Sequence, residues 1–440
     1  MRELFGTDGI RGVANEHPMT IEICQKLAEA IAVKFCSAGE KKHQILISQD
    51  TRISGEMFSH AMAVVFCSLG IDVRFLTVHT PQLSIFVPEY GASAGIMISA
   101  SHNPYHDNGV KLFNEFGLKL ADYEEEELEK ILKEVPLLPR ATGANIGIYR
   151  RHEKCDFYDK KIRESLVFDR EFSKTLKVVV DCANGSLSQI APRLLKEECG
   201  FDVVGLHCYP DGININEKCG VTHPHVIGEA VLQHRADVGI AFDGDGDRVL
   251  ISDENGKILD GDHILAMMAT FSKCKEVVST IAANFALEKY LSSVGVKLVR
   301  TNVGDRYISE YMQKNDAEFG AEPSGHVIVK SHALTGDGLF AGLKVLEYMV
   351  RFRKKCSELR FFESYPTVNK NLKVRDKSII HSQFAQRAIQ EAEEQLAGRG
   401  KVIVRPSGTE PLIRISAEGK NPPELEDIVN KLSQVIGNLQ

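Results

Sequence analysis

Short apolar runs alternate with segments of helical period along most of this chain, and the alternation restarts twice. Gln44-Ile45-Leu46-Ile47-Ser48 reads as a buried strand, Gly55 to Gly70 as a helix stopped by glycine, and Asp72–Leu76 and Ala94–Ile98 as further strands. Strands separated by helices imply βαβ units and a largely parallel sheet. The pattern resumes with Lys177–Val180, a polar loop Asp181–Gly185, a helix through Leu195, then Val203–Leu206 and Val238–Phe242. A third unit begins near Gly261 with a helix, the strands Val277–Ile281 and Lys297–Arg300, and a helix between them. At 440 residues the chain exceeds one hydrophobic core, and about 150 residues per domain predicts about three domains.

The last 75 or so residues differ: a strand near Val368–Leu372, a helix over Ser378–Leu396, two strands around Arg405 and Arg414, and a final helix. That is a small α+β domain. The similarity of the first three units suggests duplication, without a short-period sequence repeat. Four acids, Glu124 to Glu127, open a helix at its favourable end and read as a solvated face.

Charge and cysteine usage exclude several classes. With 53 Lys and Arg against 60 Asp and Glu, the net charge of −7 argues against a broad nucleic-acid or anionic-membrane surface. No apolar run reaches the roughly 18 residues of a membrane span, and the N-terminal stretch reads as lacking a signal-peptide core. The 10 Cys are scattered without a Cys-x-x-Cys pair, as expected of reduced thiols in a cytoplasmic protein.

Chemistry concentrates at strand ends. Asp243-Gly244-Asp245-Gly246-Asp247-Arg248 follows an apolar strand directly, where α/β sheets place ligands. Carboxylates 5 Å apart repel by about 3 kcal/mol per pair at an effective dielectric near 20, so either solvent or a hard cation such as Mg²⁺ must relieve them. An EF-hand is rejected because Arg248 stands where its Gly belongs, and strands flank the loop. The run also resembles the aspartyl-nucleophile loop of haloacid-dehalogenase phosphatases, with Asp247 in place of Thr.

Ile98-Ser99-Ala100-Ser101-His102-Asn103-Pro104 ends another strand, and Asn-Pro favours a turn that lifts the hydroxyls out of it. A serine there beside His102 is suited to act as nucleophile or phosphate carrier, whereas Pro104 between His102 and His106 argues against a helical zinc pair. Asp107-Asn108-Gly109 reads as a tight hairpin turn returning Lys111 to the same rim. Arg405-Pro406-Ser407-Gly408-Thr409-Glu410-Pro411, with Arg414 beyond it, has the composition of an anion nest or of a decorated turn. Glu322-Pro323-Ser324-Gly325-His326 offers a carboxylate, a hydroxyl and an imidazole to sugar hydroxyls, and Arg11 is a further candidate for phosphate contact. His223-Pro224-His225 reads as surface loop.

These segments, in this order from Gly6 to Arg414, resemble the α-D-phosphohexomutase superfamily. The resemblance implies an α/β fold of four domains around a central cleft: three related α/β units with mixed, largely parallel sheets, and a small C-terminal α+β domain. The corresponding boundaries are 1–150 with the phosphoserine loop, 151–252 with the metal loop, 253–364 with the sugar loop, and 365–440 with the phosphate loop. Phe5-Gly6-Thr7-Asp8-Gly9-Ile10-Arg11-Gly12 is similar to the phosphoglucosamine branch, not to the glucose/mannose branch. That branch usually reads Gly-Glu-Gln-Ser-Gly-His where this chain has Ala321-Glu322-Pro323-Ser324-Gly325-His326, which bears on discrimination at the sugar 2-position.

By resemblance, Ser101 is the phosphoserine, and Asp243, Asp245 and Asp247 hold Mg²⁺ together with one of its phosphate oxygens. Arg11, His102, Lys111 and Arg248 match positions for proton transfer and transition-state charge. Glu322, Ser324 and His326 contact the sugar, while Arg405, Ser407, Gly408, Thr409 and Arg414 grip the phosphate that is not reacting. The implied reaction interconverts glucosamine 6-phosphate and glucosamine 1-phosphate through a bound glucosamine 1,6-bisphosphate, in UDP-N-acetylglucosamine synthesis, with the fourth domain as a mobile lid. Alternatives are a glucose or mannose phosphomutase, an aspartyl-phosphate phosphatase and a non-catalytic phosphosugar sensor. The expected partner is a small phosphosugar, with neither nucleic acid nor membrane; the oligomeric state stays open, a homodimer included.

Overall fold

Strand pairing turns the first alternating stretch into a six-stranded sheet in a computed structural model that describes residues 4–6, 8–36, 43–152, 156–407 and 412–439. Its strands are β1 (Ile10–Val13), β2 (Gln44–Gln49), β3 (Asp72–Leu76), β4 (Ala94–Ile98), β5 (Asp107–Asn114) and β6 (Tyr149–His152), ordered β1-β5-β4-β2-β3-β6. The strands β4, β2, β3 and β6 run parallel, and β5 lies antiparallel between β4 and β1.

The second sheet orders as β11-β10-β9-β7-β8, from β7 (Lys177–Asp181), β8 (Asp202–Leu206), β9 (Val238–Phe242), β10 (Val249–Asp253) and β11 (Ile258–Leu259). The third orders as β13-β12-β14-β15, from β12 (Glu276–Thr280), β13 (Lys297–Thr301), β14 (Phe319–Ala321) and β15 (Val327–Val329). The last is antiparallel: β16 (Thr367–Lys373), β17 (Gly400–Pro406) and β18 (Leu412–Gly419), ordered β16-β18-β17.

Period-two alternation decides where the cores lie. Ile45 and Ile47 of β2 pack on one face with Leu27, Ile31, Phe58 and Phe66 of the covering helices. Leu46 faces the other way and joins a core continuous through Val178, Ile240, Val249, Leu343 and Leu346. The first three sheets therefore share buried apolar contacts, so the loops at their strand ends are held in fixed relation. The fourth domain has a separate core built on Ile413, Ile415, Leu425 and Leu432. Polar ties attach it to the third: Lys401 Nζ donates to the Ile281 carbonyl at 2.8 Å, and the Phe285 amide to Glu418 at 2.9 Å.

Two local expectations are corrected. Asp107-Asn108-Gly109 is not a turn; it begins β5, with Gly109 opposite Arg11 of β1. Pairing with β1 outweighs local turn preference, and Gly109 is required because a Cβ there would lie 2.6 Å from the carbonyls of Ile10 and Ser99. The acidic helix, Asp122–Lys133, is not simply solvated: Glu125 is buried and accepts two hydrogen bonds from Arg306 of the third domain at 2.8 and 2.9 Å.

Candidate active site

The loops after β4 and β9 meet at one point. Ser101 is fully buried, and its hydroxyl donates to Asp243 Oδ2 at 2.6 Å, joining two segments 142 residues apart. Gly244 permits this approach, since a Cβ would stand 2.8 Å from the Ser101 carbonyl. Ser101 itself has φ 55°, a left-handed conformation that costs a non-glycine residue about 1–3 kcal/mol unless its surroundings fix it. His102 Nδ1 lies 3.4 Å from the Ser101 hydroxyl.

Asp243, Asp245 and Asp247 are all buried, with carboxylate oxygens within 4.8 Å of one another. Lys111, buried on β5, places its ammonium 2.7 Å from both Asp245 and Asp247 and 3.0 Å from Asp8. Burial alone would discharge that lysine; Asp245, Asp247 and Asp8 together hold it well above the ordinary lysine range. Burial, with Asp247 and Asp245 adding to it, pushes Asp243 well up. Burial and the neighbouring Arg248 and Arg11 lower His102 to about 4, so its imidazole is neutral at pH 7. Asp245 Oδ1 and Asp247 Oδ1 are buried without a hydrogen-bond partner. Unfilled, clustered, hard oxygen donors fit a divalent cation, and Mg²⁺ suits them.

Arg248 closes the loop, its amide donating to Asp243 at 3.2 Å and its Nε lying 3.9 Å from Asp247. The β14–β15 hairpin packs directly against it. The Val249 amide donates to the Gly325 carbonyl at 2.9 Å, and His326 Nε2 lies 3.3 Å from Asp305 and 3.6 Å from Asp247. Asp8, Arg248, Asp305, Glu322, Ser324 and His326 line a cavity of about 400 Å³, a size suited to a hexose phosphate. Burial raises the Glu322 carboxyl, which accepts the Gly304 amide at 3.1 Å.

Pro323 and Ala282 also line a neighbouring cavity of about 690 Å³, into which Arg405 and Arg414 face from opposed positions on β17 and β18. Ser407 follows at the end of β17, buried, with its carbonyl bound by Lys377 Nζ at 2.9 Å. Gly408 and Thr409 lie outside the described residues. Arg11 stands on β1, its guanidinium donating to the Ala100 carbonyl at 3.4 Å and pairing with Asp8. His223 and His225 sit at the start of a helix, away from these cavities.

Sequence reasoning missed much of the supporting shell. Thr80 donates its hydroxyl to Asp245. Lys119 bridges Asp8 and Asp305 at 2.7 Å each, linking the first and third domains. Arg52 and Asn216 bind the backbone of the Ser101 loop. Asp50-Thr51-Arg52 does follow a strand, the one local cue available; the other residues carry none.

Comparison with known proteins matches all four domains. The four domain models described as phosphoglucomutase/phosphomannomutase match residues 2–137 (α/β/α domain I), 156–256 (domain II), 260–365 (domain III) and 369–435 (C-terminal domain). The chain therefore belongs to the phosphoglucomutase/phosphomannomutase family of the α-D-phosphohexomutase superfamily, and it is an enzyme of the phosphotransferring isomerase class. Within that superfamily it is similar over its whole length to phosphoglucosamine mutases. One, from Gluconacetobacter diazotrophicus, is 42% identical, covering 100% of this chain and 98% of the relative; another, from Desulforamulus reducens, is 42% identical, covering 100% of both. Among solved structures, a Burkholderia thailandensis phosphoglucomutase/phosphomannomutase family protein shares the fold at TM-score 0.82 and 21% identity, covering 100% of this chain and 98% of that one. Aspergillus fumigatus N-acetylphosphoglucosamine mutase, in complex with GlcNAc-6P and magnesium, does so at 0.68 and 17%, covering 99% and 96%.

Proposed function

We propose that this enzyme is a phosphoglucosamine mutase. It interconverts glucosamine 6-phosphate and glucosamine 1-phosphate through a phosphoserine at Ser101 and a bound glucosamine 1,6-bisphosphate, supplying UDP-N-acetylglucosamine synthesis. The observation that carries the chemistry is the 2.6 Å hydrogen bond from Ser101 to Asp243, inside a buried acidic triad with unfilled oxygens. The choice of sugar is supported by full-length relatives at 41–42% identity.

Mg²⁺ held by Asp243, Asp245, Asp247 and a phosphate oxygen on Ser101 would neutralise a group of charge near −2 and polarise its phosphorus. The chain's own groups do the rest. We assign proton transfer at the attacking sugar hydroxyl to His102, whose Nδ1 lies 3.4 Å from the Ser101 hydroxyl. Lys111, kept charged, and Arg248 and Arg11 offset charge on the phosphoryl group in transit. Glu322, Ser324 and His326 hold the sugar, while Arg405 and Arg414, with Ser407, Gly408 and Thr409, hold the distal phosphate. The bisphosphate turns end for end between the two neighbouring cavities, which share Ala282 and Pro323, the separate core of the fourth domain allowing it to close as a lid. The aspartyl-phosphatase alternative is disfavoured by the phosphoglucomutase/phosphomannomutase domain models, which match all four parts of the chain in order.

The test supplies glucosamine, glucose and mannose 6-phosphates with Mg²⁺ and a trace of the matching bisphosphate. Glucosamine 6-phosphate is expected to give the highest kcat/KM, with acid-stable phosphate on the Ser101 peptide. A higher kcat/KM for glucose or mannose overturns the substrate, and a hydroxylamine-labile phosphate on the Asp243 peptide overturns the mechanism.

A further inference from the structure

Arg52 is 2% exposed, and all five of its guanidinium N–H groups have partners. Nε donates to Asp50 Oδ2 at 2.8 Å. Nη1 donates to the carbonyls of Asp107, at 3.0 Å, and Pro104. Nη2 donates to those of Ser101, at 2.9 Å, and Asn103, at 2.8 Å. Four carbonyls of one loop thus converge on a single planar cation.

A second route from the same cluster reaches Ser101 from the other side. Asp50 Oδ2 accepts the Ser99 hydroxyl at 2.6 Å, and the Ser99 oxygen accepts the Ser101 amide at 2.9 Å. The Arg52–Asp50 pair therefore fixes both the carbonyl and the amide of the residue that holds φ 55°. Asn216, from the second domain, repeats the carbonyl contacts to Ser101 and Asn103 at 2.9 and 3.0 Å. Arg52 lines neither the sugar cavity nor the distal phosphate cavity.

We propose that Arg52 is the positioning residue for phosphoryl transfer, its five-donor fork holding Ser101 in the left-handed conformation that aims the hydroxyl at the acidic triad. A lysine at this position has three donors and no planar fork, so it cannot reproduce the cradle. Arg52 acts through the loop backbone alone: it sets the attack geometry and leaves sugar binding untouched. The cluster also borders a cavity of about 860 Å³, lined by Asp50, Thr51 and Arg52 with Gly185, Ser186 and Arg193 of the second domain. That cavity gives a guanidinium ion room to enter when the side chain is removed.

This inference rests on the phosphoserine reading of Ser101, and its test has one arm independent of activity. Steady-state kinetics on full-length Arg52→Lys and Arg52→Ala, with saturating Mg²⁺, should show kcat lower by about 100-fold, as a misplacement of order 1 Å can cost. KM for glucosamine 6-phosphate should stay within about threefold, since uniform substrate binding is unaffected. Millimolar guanidinium, but not urea or sodium at equal concentration, should restore part of kcat in Arg52→Ala. Hydrogen exchange on Arg52→Lys should quicken at least tenfold in the peptide spanning Ser101 to Asp107 and stay unchanged in the fourth domain. If Arg52→Ala does not fold, Arg52→Lys and Asn216→Ala carry the test. A folded Arg52→Lys with wild-type kcat and unchanged loop exchange overturns the proposal. So does a loss of activity that appears in KM alone. Wild-type enzyme inactive on all three sugar phosphates overturns the functional reading instead, and the exchange arm then decides on Arg52 by itself.

Discussion

Two groups of metal-type ligands sit at strand ends of the same sheet among the described residues: Asp243, Asp245 and Asp247 after β9, and Asp181, His207 and Cys219 around the ends of β7 and β8. In both, the ligand atoms lie within 4.8 Å of one another. The similarity ends with the valences. Both oxygens of Asp181 have partners, accepting the Ala183 amide and the Gly220 amide at 2.9 Å each and His207 Nδ1 at 3.0 Å. Burial, with Asp181 beside it, pushes the Cys219 thiol up to about 12. The aspartate triad keeps two buried carboxylate oxygens unpartnered. Proximity is common to both groups; buried carboxylate oxygens without a hydrogen-bond partner belong to one. The first gathers like charge at one buried point, and the second ties loops together.

That contrast breaks first at Asp243. Asp243→Asn should lower kcat by about 10³-fold, roughly 4 kcal/mol, through loss of divalent-cation binding. Its melting temperature should hold or rise, because one repelling charge leaves the triad. A large fall in melting temperature would make the triad structural, like its neighbour. Asp181→Ala is the mirror experiment: about 3 kcal/mol of stability should be lost as two buried amides lose their acceptor, with the Mg²⁺ concentration for half-maximal activity unchanged. A shift in that Mg²⁺ dependence would couple the two groups.

Native mass spectrometry with Mg²⁺ and with Zn²⁺ sharpens the comparison. One divalent ion is expected, lost in Asp243→Asn and kept in Cys219→Ser; a zinc ion dependent on Cys219 would erase the distinction. The smallest effect concerns pH. Hydrogen bonding to Asp181 raises His207 above its ordinary range, and the unfolded chain titrates near 6.5. The pair's contribution is therefore complete below about pH 6.5 and lost as pH rises through the folded value. His207 is about a third exposed, which limits the gain to under about 1 kcal/mol. The difference in melting temperature between wild type and His207→Gln should thus be larger at pH 6 than at pH 9. An equal difference at both would remove the ion pair from the account.

Which parts were legible in the sequence follows from the range of each interaction. Val238–Phe242 and Ala94–Ile98 are local patterns, and the strands form there as read. The Asp243–Arg248 and Ser101 loops declare themselves by composition at strand ends, and the structure brings them together. Arg52 lies 49 residues from Ser101 and Lys119 lies 186 from Asp305, so no window of sequence holds both partners. Glu125 looked solvated because its partner Arg306 lies 181 residues on. Asp107–Gly109 looked like a turn because the strand that recruits it, β1, is nearly 100 residues away.

The opposed pair Arg405 and Arg414 has a consequence for folding itself. Like charges directly across an antiparallel pair are destabilising, and this pair stands in the fourth domain, whose core, among the described residues, is separate from the rest. Any dianion bound between them repays that cost and adds linkage free energy, about 2.7 kcal/mol at 100 times Kd. On the proposed function, a phosphorylated sugar held there would act as a folding cofactor for the small domain, which would be weakest when the cell has no substrate to offer it.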